Sequence, residues 1–161
     1  MSPKEKQKND EATKEKVVLA VQPAPTAMPV APVVPAAAPV PSNGKAILIV
    51  EDEKPLSHAL EMKLKKNGYE TKVVLNGQEA LDELKIKKYH MILMDLIMPV
   101  MDGFELLTAM QAAKLSVPAI VLSNLGQEED RKKAAALGAI EYFVKANTPI
   151  SEIIARVQKS I

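Results

Sequence analysis

Polar residues stand at the ends of four short apolar runs. Glu51 and Asp52 follow AILIV (46–50), Asp95 closes MILMD (91–95), Ser123 closes AIVLS (119–123), and Lys145 follows IEYFV (140–144). A carboxylate in a setting as apolar as that of Asp95 is costly to bury unless it is paired or bound to a metal. Three carboxylates brought together raise one another's pKa unless a cation neutralises them. With only oxygen donors on offer that cation should be hard, and Mg²⁺ suits a shallow site that keeps several waters. A carboxylate flanked by Mg²⁺, an ammonium and a hydroxyl is equipped to attack a phosphoryl group, because phosphoryl transfer depends mainly on in-line positioning and charge neutralisation. In that chemistry Asp95 is the nucleophile, Lys145 and Mg²⁺ carry the positive charge, and Ser123 supplies a hydrogen bond.

Separations of 44, 28 and 22 residues divide Glu51, Asp95, Ser123 and Lys145, so only a fold can bring them together. AILIV, TKVVL (71–75), MILMD, AIVLS and IEYFV read as strands. Between them lie helical patterns. Leu56, Ala59, Leu60 and Leu64 repeat on one face up to a Gly68 cap; GQEALDELKIKK (77–88), GFELLTAMQAAK (103–114) and EEDRKKAAALG (128–138) follow. Asp102 is placed to cap the third helix, and Thr148 with Pro149 to open the last, whose Ile150, Ile153, Ile154, Val157 and Ile161 share a face. Five strands alternating with five helices call for a parallel sheet covered on both sides, with right-handed crossovers. The expected fold is α/β: a flavodoxin-like, doubly wound, five-stranded parallel sheet of order 2-1-3-4-5. Its ligands bind beyond the carboxyl ends of the strands, where the four polar strand ends converge.

The whole chain has 161 residues, 47% of them apolar and 25% charged, with a net charge of +1. That balance gives no electrostatic case for binding nucleic acid or an anionic membrane. Cysteine is absent, which excludes disulfides and fits a reducing cytoplasm, and two histidines, His58 and His90, are too few for a zinc site. No proline-free apolar window is long enough to span a membrane. Residues 1–44 are expected to be a disordered tail: a mixed-charge start, then VVLAVQPAPTAMPVAPVVPAAAPVP (17–41), whose seven prolines suit an extended tether. Residues 45–161, with sixteen basic and sixteen acidic residues, form the folded body.

ILIVEDE, MDLIMPVMDG, VLSN and YFVKA, in this order and spacing, resemble the receiver domain of two-component response regulators, and the resemblance covers essentially all of residues 45–161. It implies that Asp95 accepts a phosphoryl group from the phosphohistidine of a sensor histidine kinase or phosphotransfer protein. It implies Mg²⁺ held directly by Asp52 and Asp95, through water by Glu51, and by the backbone carbonyl of Ile97. Ser123 and Lys145 would hold the phosphoryl group, with Ser123 and Tyr142 as the switch pair. The signal would leave through helix four, strand five and helix five to a protein target in the cytoplasm. Such a domain promotes its own phosphorylation but is not an enzyme with turnover.

Two departures stand out. Receivers often carry proline after the lysine in a cis bond; Ala146 stands there, and a cis bond without proline costs roughly 2.5–4 kcal/mol. Two residues beyond Asp95 and Ser123 stand Ile97 and Leu125, neither able to orient an attacking water by hydrogen bonding, so a long-lived aspartyl phosphate is expected. Two other enzyme classes on this type of fold fit poorly. A flavodoxin needs a phosphate loop where EDEKP stands, and a dehalogenase-type phosphatase needs an aspartate where Ile97 stands. A phosphorylation-independent interaction module remains the alternative. The sequence stops at Ile161 after the last helix, so output through protein–protein contact is expected.

Overall fold

The computed structural model describes residues 42–161. The tail expected over residues 1–44 falls outside this range except for its last three residues. Five strands alternate with five α-helices in the order β1 (Ala46–Val50), α1 (Lys54–Lys66), β2 (Glu70–Val74), α2 (Gly77–Ile86), β3 (Met91–Met94), α3 (Gly103–Ala112), β4 (Ala119–Ser123), α4 (Glu128–Ala136), β5 (Ala139–Val144) and α5 (Ile150–Ser160). The strands form one parallel sheet of order β2-β1-β3-β4-β5, as the alternation requires.

Strand residues alternate between two apolar layers. Ile47, Ile49, Leu93, Ile120 and Leu122 face Leu60 and Leu64 of α1 and Ile153, Ile154 and Val157 of α5. Leu48, Val50, Ile92, Met94 and Val121 face Leu84, Leu106, Met110 and Ala134 on the other side. β1, β3 and β4 are buried along their whole length, whereas β2 and β5, at the sheet edges, are only partly covered. Each fully buried Leu or Ile contributes about 1.5–3 kcal/mol, so the central strands carry most of the apolar stabilisation.

The helix ends follow local chemistry. After α1, Gly68 adopts φ +83° and its N–H reaches the Lys65 carbonyl (2.9 Å), while Tyr69 N–H reaches Leu64 (3.1 Å). A positive φ is the conformation that glycine takes without penalty. Asp102 caps α3 in a reciprocal box with Glu105: its side chain accepts from Glu105 N–H (2.8 Å), and Glu105 accepts from Asp102 N–H (3.0 Å).

Most expected boundaries shift by one or two residues, and three of the shifts have a local cause. β2 starts at Glu70, whose N–H bonds Lys45, and ends at Val74, because Leu75 N–H turns to the Glu79 side chain (3.0 Å). α2 ends at Ile86, Lys87 already being extended. A short 3₁₀ turn, Lys145–Asn147, separates β5 from α5, so Pro149 rather than Thr148 takes the N-cap position and accepts from Glu152 N–H (2.9 Å). The expected Thr148 side-chain cap is not made, and no peptide bond among the described residues is cis.

The described chain enters at the amino ends of the strands. Asn43 N–H bonds Gly68, and Ala46 N–H bonds Nδ1 of His90 at the foot of β3 (3.1 Å). The site lies at the other end.

Candidate functional site

β1 runs out at Val50, and Glu51 and Asp52 alternate across its end: Glu51 is 1% exposed, Asp52 is exposed. Next to it β3 delivers Asp95, 3% exposed, its N–H bonded to the Val50 carbonyl (3.0 Å) so that the β1–β3 ladder continues to the acid itself. Carboxylate oxygens of Glu51, Asp52 and Asp95 lie within 4.8 Å of one another. Asp95 Oδ1 accepts from the N–H groups of Leu96 (2.6 Å) and Ile97 (3.1 Å), which fixes the carboxylate plane.

Lys145 reaches this cluster from the end of β5. Its Nζ donates to Asp95 Oδ2 (2.7 Å), Glu51 Oε1 (2.8 Å) and Glu53 Oε1 (3.2 Å). An ammonium has three N–H donors, and all three are engaged. Burial pulls the Lys145 pKa down, but its hydrogen bonds to Asp95 and Glu51 outweigh that and hold it above the ordinary lysine range. Burial pushes the Glu51 carboxyl up, against the lowering influence of Lys145, and the Asp95 charge pushes the same way.

Gly103, the first residue of α3, lets the helix approach this corner. A Cβ there would lie 2.4 Å from the Asp95 carbonyl oxygen and 2.8 Å from Leu96 Cα, and Gly103 N–H bonds the Leu96 carbonyl (3.0 Å). Only a residue without a side chain fits between α3 and the backbone that carries Asp95.

Ser123 is wholly buried at the end of β4, and its Oγ accepts from Leu125 N–H (3.2 Å). Tyr142 is buried on β5, and its hydroxyl donates to the Leu125 carbonyl (2.7 Å). The two residues therefore meet through the backbone of one residue in the β4–α4 loop. Arg131 of α4 lies over the Tyr142 ring, 5.2 Å from its centre. Burial raises the Tyr142 phenol above its ordinary value.

Glu51, Asp52, Asp95, Ser123 and Lys145 thus sit at the carboxyl end of the sheet, and Tyr142 is linked to Ser123 through Leu125. Glu53, the third carboxylate on Lys145, was not among the residues expected at the site, although the triplet EDE displayed it. The donors fit a hard divalent cation. They are oxygens only, they are crowded, and Glu51 Oε2 is buried without a hydrogen-bond partner, an acceptor left for a cation or its water.

An acid cluster and a lysine thus meet at the carboxyl end of a doubly wound parallel sheet. Residues 47–158 match the response regulator receiver domain family, and the chain belongs to it. It is 32% identical over 114 residues to the alkaline phosphatase synthesis transcriptional regulatory protein PhoP of Bacillus subtilis, covering 71% of this chain and 47% of that protein. It is 31% identical over 111 residues to the cell cycle response regulator CtrA of Brucella ovis, covering 69% of this chain and 47% of that protein. The chain thus spans about half the length of these curated relatives.

Among solved structures, the receiver domain of the Francisella response regulator 1452 superposes with a TM-score of 0.68 at 30% identity, over 71% of this chain and 94% of that one. The Thermotoga maritima response regulator TrrA, solved with Mg²⁺ and beryllofluoride, gives a TM-score of 0.64 at 29% identity, over 73% and 99%. Receiver domains are signalling domains that are phosphorylated on an aspartate with Mg²⁺ bound at an acidic pocket, and they interact with histidine kinases or phosphotransfer proteins. No helix among the described residues is long and apolar enough to cross a membrane.

Proposed function

We propose that this domain is a phosphorelay receiver in the cytoplasm whose phosphoacceptor is Asp95. The donor is the phosphohistidine of a sensor histidine kinase or phosphotransfer protein. One observation carries the assignment: the ammonium of Lys145 bridges Asp95 and Glu51, at 2.7 and 2.8 Å, inside a crowded carboxylate cluster at the mouth of the sheet. In the transfer an Asp95 oxygen forms a bond to phosphorus while the P–N bond to the donor imidazole breaks, and the imidazole keeps the electron pair. Asp52, Asp95, Glu51 through water and the Ile97 carbonyl would hold Mg²⁺, which supplies neutralisation of the phosphoryl oxygens. Lys145 supplies a second cation and Ser123 a hydroxyl.

Ser123 and Tyr142 act as the switch. Movement of Ser123 toward the phosphoryl group releases Leu125, and with it the Tyr142 hydroxyl bond, so the change reaches the α4–β5–α5 face and a protein target docked there. The Ser123–Leu125–Tyr142 hydrogen bonds support this route.

Intact mass after incubation with acetyl phosphate and Mg²⁺ tests the assignment. A gain of one phosphoryl mass (about 80 Da) is expected, absent in Asp95→Ala and absent without Mg²⁺. No gain in the wild type would point to a phosphorylation-independent interaction module instead. Followed after donor removal, the same mass reports phosphate lifetime, expected to exceed that of receivers with polar residues at the positions of Ile97 and Leu125.

A further inference from the structure

The third partner of Lys145 differs in kind from the other two. Glu51 and Asp95 are buried, and their bonds to Nζ are 2.7–2.8 Å long; the Glu53 side chain is 55% exposed, and its bond is 3.2 Å. Breaking either short bond leaves a charge buried without its partner, which is expensive. Releasing Glu53 returns a carboxylate to water at little cost, since exposed ion pairs are weak. Glu53 is the N-cap residue of α1 by backbone geometry, but its side chain makes no capping bond, so the helix does not depend on it.

Lys145 has no spare donor for a phosphoryl oxygen while all three carboxylates are bound. We propose that Glu53 is a placeholder: it occupies the third Lys145 donor in the resting site and is the group displaced by an incoming phosphoryl oxygen. This rests on the assignment of Lys145 as a phosphoryl-binding residue. The resting ammonium is thereby held fully engaged and pointed at the site, and every anion that enters must first compete with Glu53.

Beryllofluoride, a phosphoryl mimic, tests this by equilibrium titration at saturating Mg²⁺, with the initial rate of labelling by acetyl phosphate as a second readout. Two variants are used. Glu53→Gln keeps the shape and removes the charge; Glu53→Asp keeps the charge but is one methylene too short to reach Nζ. Both are expected to bind beryllofluoride about threefold tighter than wild type, with a matching gain in labelling rate. Thermal melts without ligand should coincide for all three proteins, as the side chain is exposed and caps nothing. A gain for Gln with none for Asp would show plain charge repulsion and overturn the placeholder role, as would equal affinities throughout. A wild type that neither binds beryllofluoride nor becomes labelled would bring down the phosphoryl-site assignment itself, and this inference with it.

Discussion

Four carboxylates, those of Glu51, Asp52, Glu53 and Asp95, gather around one ammonium, so the resting site keeps a net negative charge. A divalent cation should therefore stabilise the folded chain. At a Mg²⁺ concentration about one hundredfold above its Kd the gain is about 2.7 kcal/mol, or on the order of 10 °C in Tm for a domain of this size. Asp52→Ala should abolish most of that rise in a thermal melt while leaving the metal-free Tm no lower, because Asp52 is exposed and its loss removes a repelling charge. An unchanged Mg²⁺ response would deny Asp52 its place as a ligand. The position of Asp95, Lys145 and Ser123 at strand ends was legible because a polar residue ending an apolar run needs a reason. Glu53 was not, since the reach of an exposed side chain from a helix start to a distant lysine follows no strand-end rule.

α3 is set by two adjacent residues acting differently, and substitution separates them. Asp102→Ala removes a cap and should cost about 1 kcal/mol in urea unfolding. Gly103→Ala drives a Cβ into the Asp95 carbonyl and the Leu96 backbone, atoms that cannot rotate away, and should cost more, about 2–3 kcal/mol. It should also slow labelling of Asp95 by acetyl phosphate beyond any effect of Asp102→Ala, because the displaced backbone carries the acceptor. Asp102 was readable as a cap from its place before GFELL. Thr148 was not readable as an uncapped residue: the 3₁₀ turn after Lys145 consumes the residues that a direct strand-to-helix connection would have freed.

Across the molecule, the two apolar layers were legible from the all-apolar runs of β1, β3 and β4, and the edge positions of β2 and β5 from the expected strand order 2-1-3-4-5. Global stability should carry an alkaline limit from Tyr89, buried between α2 and β3, whose hydroxyl donates to Glu83 (2.7 Å). Burial, then the Glu83 hydrogen bond, push its phenol above the ordinary tyrosine value. With the folded pKa raised, its contribution is complete below the unfolded value of about 10 and is lost as pH rises through the folded one. Urea midpoints should fall above about pH 10, and Tyr89→Phe should flatten that fall at a cost of about 1 kcal/mol at neutral pH. Asn43 and Ala46 are anchored at the feet of the strands, about 15 Å of sheet away from Asp95. Ser42 thus stands at the pole opposite the acid cluster, so a fluorophore fixed to that residue sits away from the reactive mouth.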